Sequence, residues 1–221
     1  MKFDLYIDGP ETHEDYVLPA FSVPIFHYKI SNWRGKKENL LKIYNSRIKQ
    51  KEKFKVSEGK ENSLDVETDF HFNYDNSSDQ YSNQIEKILQ DELDAFAEDS
   101  GLEIEVHNCW FEKAEKHKFH PCHNHGSTGY SAVCFINFDP KYHTPTVFIN
   151  PITADDDISN FIPPKVREGS LIFFPSFLYH YTSPNLSDID RIILSFNLGT
   201  SVPFQKFEDD EHDTEYFTDN V

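Results

Sequence analysis

Three histidines crowd one short stretch of the chain, His120-Pro-Cys-His123-Asn-His125. In extended backbone, side chains two residues apart project to the same side. His123 and His125 can therefore offer two imidazoles to one metal ion. A further histidine, His180, closes the run Phe173-Phe-Pro-Ser-Phe-Leu-Tyr-His180 far downstream. Eleven residues beyond it stands Arg191, opening the run Arg191-Ile-Ile-Leu-Ser195-Phe-Asn197. On a strand, Arg191, Ile193 and Ser195 share one face, and Ile192, Leu194 and Phe196 share the other. A buried Arg is costly unless it meets an anion. A face of Arg, Ser and Ile therefore suits a small ligand's carboxylate, which a guanidinium grips bidentately. The plainer reading of that run alone is a surface strand with Arg191 bonded to Asp188 or Asp190. Together the pieces describe a metal centre beside a carboxylate site.

Positioning these groups falls to a helical first half and a strand-rich second half. Residues 1–33 carry Pro10, Pro19 and Pro24 around short apolar runs such as Phe21-Ser-Val-Pro-Ile-Phe26, and read as extended. From Lys36 to about Lys53, Leu40, Leu41, Tyr44 and Ile48 fall on one helical face. Ser57 to Ser63 is polar and breaks the pattern. Ser78 or Asp79 caps a second helix that turns Tyr81, Ile85, Ile88, Leu89, Leu93 and Phe96 inward and closes near Gly101. Leu102-Glu-Ile-Glu-Val106 then alternates with period two. Strand-like runs follow at Tyr130–Phe138, Thr146–Ile149, Ser170–Phe174 and Arg191–Leu198. Many short strands between turn residues predict a sandwich or a closed barrel. The expected organisation is one α+β domain over residues 1–221: a strand and helical support over 1–101, a β core over 102–200 and an acidic tail over 201–221.

Composition narrows the classes. With 221 residues and 15% aromatics the chain can bury a real core. Its net charge of −17 argues against nucleic-acid binding over a broad surface. No long apolar run predicts a membrane span, and the acidic start Met1–Tyr16 lacks the apolar stretch of a signal peptide. Three cysteines, Cys109, Cys122 and Cys134, make no disulfide framework. The chain reads as soluble and cytoplasmic, and a homodimer is compatible with it. Residues 34–60 nevertheless hold ten Lys or Arg against three Glu. A solvated face accounts for that stretch most simply, and a docking patch for an acidic partner is the rival. No Gly-x-Ser-x-Gly, P-loop or dinucleotide-binding glycine motif is present.

With both clusters in view, the chain resembles the 2-oxoglutarate/Fe(II)-dependent oxygenases, above all their prolyl-hydroxylase-like members. The residues carrying the likeness are Phe21-Ser-Val-Pro-Ile-Phe26, Trp110 thirteen residues ahead of His123, His123-Asn-His-Gly126 and Thr128-Gly-Tyr130. Gly169-Ser-Leu-Ile-Phe-Phe-Pro-Ser-Phe-Leu-Tyr-His180 and Arg191 to Asn197 complete it. The resemblance implies a double-stranded β-helix, or jelly roll, with the N-terminal helices packed outside. It implies Fe(II), 2-oxoglutarate and O2 as cofactor and cosubstrates. His123 and His180 look like iron ligands, Arg191 like the partner of the far carboxylate of 2-oxoglutarate, and Ser195 like its hydroxyl helper. Ser131 lines the same pocket in this reading, and Trp110, Tyr130 and Phe174 wall the site. The implied reaction is hydroxylation of a prolyl residue in a peptide or protein, or of an amino-acid-like small molecule. No catalytic side chain beyond the ligands is called for.

The departures are specific. The family's usual motif is His-x-Asp or His-x-Glu, giving two imidazoles and a carboxylate, whereas this chain has His125 at the third position. His125 ligates the metal, or it points away, or a carboxylate such as Glu112 or Asp139 completes the set. Phe135 stands where many relatives place a Tyr that touches the cosubstrate. Two rivals from other classes remain: a structural zinc cluster of His120, Cys122, His123 and His125, and a cupin-like jelly-roll module that binds metal without catalysis.

Overall fold

The computed structural model describes residues 23–50, 55–56, 66–70, 81–151 and 160–202. The expectations for the first 22 residues, for the cap at Ser78 or Asp79 and for the tail from Phe204 lie outside these residues. In chain order the elements are β1 (Phe26–Lys29), α1 (Trp33–Ile48), β2 (Lys55–Val56), β3 (Glu67–Thr68) and α2 (Ser82–Ser100). Then come β4 (Glu103–Ala114), β5 (Tyr130–Asn137), β6 (Val147–Ile149), β7 (Asn160–Phe161), β8 (Ser170–Pro175), β9 (His180–Tyr181) and β10 (Arg191–Ser201).

The strands form two antiparallel sheets. One has seven strands in the order β1-β8-β5-β10-β4-β3-β2, the other three in the order β7-β6-β9. This is the double-stranded β-helix expected from the sequence, with α1 and α2 packed on the outer face of the larger sheet. Period-two alternation sorts each central strand between two cores. Ala132, Cys134 and Ile136 of β5, Leu171 and Phe173 of β8, and Leu194, Phe196 and Leu198 of β10 face the helices. Val133, Phe135, Ile172, Phe174 and Ile193 face the space between the sheets, where Phe148 of β6 meets them. Arg191 and Ser195 share the face of Ile193 and are buried there with it. The surface-strand reading of this run is overturned.

The helices dock through the residues their periodicity marks. Phe96 of α2 stacks on Phe173 of β8 at 4.3 Å and 5°, while Leu40 and Tyr44 of α1 are buried in the same layer. α2 ends at Gly101, whose φ of 69° is the left-handed cap the sequence predicts. Several bases of the 34–60 stretch are already engaged. Lys36 reaches Glu92 at 2.8 Å, Lys37 reaches Glu168 at 2.7 Å, and buried Arg47 faces Asp69 at 3.7 Å. Part of that charge therefore tethers α1 to the rest of the fold, a use neither sequence reading anticipated.

β4 runs eight residues beyond the alternating stretch, through Ala114. It carries a bulge on the way: Phe196 pairs with Cys109 and Leu198 with Val106, so His107 and Asn108 together oppose Asn197. Gly129, just ahead of β5, has φ +79, and a side chain there would run into the carbonyl oxygen of Leu198. Bulge and glycine together shape the open end of the barrel next to the histidines.

Candidate metal centre

His123 and His180 are locked together by backbone. Each amide donates to the other's carbonyl at 2.9 Å, an isolated two-residue bridge. The His125 amide donates to Ser176 O at 2.9 Å, and the Thr182 amide to His120 O at 3.0 Å. The segment leading into β5 thus lies antiparallel to the segment around β9, and three imidazoles converge between them. One nitrogen from each of His123, His125 and His180 lies within 4.8 Å of the other two. Among the described residues no other group of histidine, cysteine or carboxylate side chains is so placed.

The ring orientations suit metal binding. Nδ1 of His123 lies 2.8 Å from Pro121 O, and Nδ1 of His180 lies 2.8 Å from Leu178 O. A carbonyl only accepts, so in both rings Nδ1 carries the proton and Nε2 keeps its lone pair. Phe174 and Phe148 border the His180 ring at 4.8 and 5.8 Å, and Trp110 leans on His125 at 5.4 Å. Burial first, and then the charge of neighbouring imidazoles, lowers all three rings: His123 to about 4, His125 to about 3 and His180 well below its ordinary value. They are neutral donors at pH 7.

That burial has a consequence for stability. Unfolded, the three histidines take up protons near pH 6.5, whereas folded they resist until about pH 4 or lower. Their contribution to stability is full above pH 6.5 and is lost as the pH falls from there. The melting temperature of the metal-free protein, followed in chelator from pH 7.5 to 4.5, falls below pH 6.5, before carboxylates begin to titrate. A flat profile over that window would contradict the buried, neutral cluster.

Beside the histidines lies a cation of unusual status. Arg191 is 3% exposed. Its Nη2 donates to Thr182 Oγ1 at 2.7 Å and its Nη1 to Thr144 O at 3.4 Å, and no carboxylate lies within salt-bridge distance among the described residues. The Asp188 and Asp190 partners of the plainer reading are not used: Asp188 instead pairs with Lys116 at 2.9 Å. Burial drops the guanidinium to about 10, opposed by the charge of Glu112. Thr182 is two residues from His180, about 7 Å along extended backbone. Thr182 thus links the guanidinium to the segment that carries His180.

Other expected site residues fall in different places. Ser195 is buried on the Arg191 face with no hydrogen-bond partner among the described residues. Ser131 faces the same interior, but its hydroxyl bonds Ser176 and Asn197, both at 2.9 Å. It pairs in register with Asn197, six residues or about 20 Å along β10 from Arg191. Ser131 and Arg191 are thus not brought together. Trp110 and Phe174 border the histidines. Tyr130 points the other way, its ring against Phe96 at 5.1 Å and Phe26 at 6.2 Å in the helix-side layer. Phe135 packs on Phe138 at 4.9 Å.

Neither alternative carboxylate joins the cluster. Asp139 is exposed in a turn, accepting the Lys141 amide at 2.9 Å. Glu112 is buried behind His120, bonded to Trp110 Nε1 and His120 Nδ1 at 3.0 Å each. The four-ligand zinc reading also fails on geometry. Nδ1 of His120 is committed to Glu112, its ring lies flat on His123, and Cys122 is exposed.

A cleft of about 750 Å³ opens at His125, lined by His107, Asn108, Thr128, Ser176, Asn197 and Thr200 among others. The β4 bulge supplies two of these groups. Sequence reading missed them because a bulge breaks the alternation on which strand faces are read.

Residues 108–197, which span the cluster, Arg191 and Ser195, match the model of a family described as "Putative 2OG-Fe(II) oxygenase". Over these residues the chain is similar to the 2OG-Fe(II) oxygenases. The fold is similar to the alpha ketoglutarate dependent carbocyclase SnoK from nogalamycin biosynthesis, at 12% identity and a TM-score of 0.55, covering 79% of each chain. It is similar to the epimerase SnoN of the same biosynthesis, at 13% identity and 0.54, covering 79% of this chain and 76% of that one. A prolyl-4-hydroxylase from Pseudomonas putida gives 12% identity and 0.52, covering 80% and 93%. At such identities the likeness is one of fold. No curated protein matches the sequence.

The superfamily's cofactors, Fe(II) and 2-oxoglutarate, can be tested against the groups present here. Imidazole is a suitable donor for iron, and three neutral imidazoles converge. A buried guanidinium without a carboxylate is what a dianionic cosubstrate would complete. The residues fit both groups. Among the described residues no helix is long and apolar enough to cross a membrane.

Proposed function

We propose that this oxygenase is a hydroxylase acting on a prolyl residue or an amino-acid-like substrate. In this reading His123, His125 and His180 hold the iron, and Arg191 with Ser195 holds the far carboxylate of 2-oxoglutarate. The observation that carries it is the buried, carboxylate-free Arg191 beside three converging neutral imidazoles. When bound, the iron with 2-oxoglutarate and O2 supplies the oxidising chemistry: one oxygen atom enters a substrate C–H bond, the other enters succinate, and CO2 leaves.

The chain's own residues bind, orient and shield. The carbonyls of Pro121 and Leu178 fix which nitrogen of His123 and His180 is free. Thr182 and Thr144 O aim the guanidinium, which would hold the far carboxylate of the cosubstrate while the three histidines would hold the metal that its keto acid chelates. Phe148, Phe174 and Trp110 keep water from the reacting centre. The substrate enters by the cleft at His125, where Asn108, Thr128 and Asn197 offer neutral hydrogen bonds. The prolyl preference leans on the sequence likeness to prolyl-hydroxylase-like members.

The test is turnover with Fe(II), 2-oxoglutarate and O2 over a set of proline-containing peptides and free amino acids. Succinate formation is read by NMR and product mass by mass spectrometry. The expected result is succinate matched by a product heavier by one oxygen atom. Succinate matched by a product that is an isomer, or is two hydrogens lighter, would overturn hydroxylation while keeping the oxygenase. Metal binding with no affinity for 2-oxoglutarate would instead leave a jelly-roll binding module.

A further inference from the structure

The buried carboxylate of the metal region, Glu112, is not on the metal cluster. It projects from β4 into the space between the sheets and is 4% exposed. Trp110 Nε1 donates to its Oε1 at 3.0 Å, and His120 Nδ1 sits 3.0 and 3.1 Å from its two oxygens. Both partners touch the metal-facing rings. His120 lies parallel to His123, 3.8 Å between centroids and 10° between planes. Trp110 leans on His125 at 5.4 Å. One carboxylate therefore fixes two aromatic groups that back two of the three converging imidazoles. The same assembly extends to the cation, because Thr182 Oγ1 accepts both the His120 amide, at 2.8 Å, and Arg191 Nη2.

Stability alone does not account for this arrangement. A buried polar pair adds little net stability compared with an apolar pair of the same volume. Groups that hold a ligating ring from behind, in contrast, set its orientation and basicity and are worth 10- to 100-fold in metal affinity. We infer that Glu112 is a positioning residue for the metal centre, acting through His120 on His123 and through Trp110 on His125. Where the usual motif has a carboxylate this chain has His125, and the buried carboxylate of the region, Glu112, stands one layer behind the histidines. This rests on reading His123, His125 and His180 as the ligands.

Co(II) is the probe, titrated into wild type, Glu112→Gln, His120→Phe and His120→Ala. Affinity and the visible d–d absorption are read, with melting of the metal-free proteins alongside. Glu112→Gln keeps the side-chain volume and one oxygen that can accept from Trp110 and His120, but loses the charge and the second oxygen facing His120. The expected result is Co(II) affinity 10- to 100-fold weaker and a shifted band, with metal-free melting close to wild type. His120→Phe keeps the flat stack on His123 and retains more affinity than His120→Ala. If Glu112→Gln does not fold, Trp110→Phe, which removes the indole N–H held by Glu112 and part of the ring beside His125, is read the same way.

Wild-type affinity and an unshifted band in both Glu112→Gln and His120→Ala would overturn the positioning role. A wild-type protein that binds no Co(II) would overturn the ligand assignment beneath it, so the two failures are distinct.

Discussion

Replacing Arg191 with Met weakens 2-oxoglutarate binding by about 30-fold to several thousand-fold and leaves metal affinity unchanged. The range follows from the roughly 2–5 kcal/mol lost when one partner of a buried charge pair is removed, at about 1.4 kcal/mol per tenfold. The guanidinium is aimed by Thr182 and Thr144 alone among the described residues. It thus bears its burial without an anion until a carboxylate arrives. The stability of the cosubstrate-free protein moves the opposite way. Met fills much of the same volume without a charge, so Arg191→Met melts no lower than wild type, and higher if the burial cost dominates. A structural Arg behaves otherwise, its loss lowering the melting temperature. Calorimetric titration of 2-oxoglutarate into metal-loaded protein, paired with a melting curve, separates the two. Unchanged cosubstrate affinity, or a fall in melting temperature with no other effect, would sink the assignment.

Removing an imidazole produces the second large effect. His180→Ala lowers metal affinity by at least about a hundredfold. Dividing the ~10–16 kcal/mol of a four-ligand site among its ligands gives about 2.5–4 kcal/mol each, roughly a hundredfold to a thousandfold. His180 carries this prediction most directly, because its backbone bridge to His123 is independent of its side chain and survives the change. His125 decides among the three readings of the motif. If it ligates, His125→Ala loses metal to a similar extent, and His125→Asp, which restores the commoner two-His, one-carboxylate set, recovers it. Equilibrium dialysis against Fe(II) or Co(II) measures both. Wild-type affinity in His180→Ala would remove the cluster from consideration as a metal site.

Much of this was legible in the sequence because it depends on short periodicities. Alternation put Arg191, Ile193 and Ser195 on one face of β10, but alone it favoured a surface for that face, and only the packing of the second sheet buries it. The helices were likewise marked by residues such as Leu40, Ile85 and Phe96, which are all buried. What was hidden arises where the period breaks or is too short to register. β7 and β9 are two residues each, and no pattern develops over two residues. The bulge at His107 and Asn108 reverses the phase of β4 halfway along, so the alternating stretch before it gives no guide to Trp110 and Glu112 beyond it. A signal was present there nonetheless: Trp110 and Glu112 stand two residues apart on a strand and so share a face. Tyr130 shows the converse, an aromatic near the motif whose parity places it with the helices rather than the histidines. The separation of Ser131 from Arg191 depends on strand register, which pairing fixes and composition does not.

The most direct test of the site is an anaerobic titration of 2-oxoglutarate into the Fe(II)-loaded wild-type protein, followed by visible absorption. Chelation of iron by a keto acid produces a charge-transfer band and requires no knowledge of the substrate. A saturable band, lost in His180→Ala and shifted to much higher 2-oxoglutarate concentration in Arg191→Met, is the predicted result. Iron bound with no band at any 2-oxoglutarate concentration would contradict the cosubstrate site.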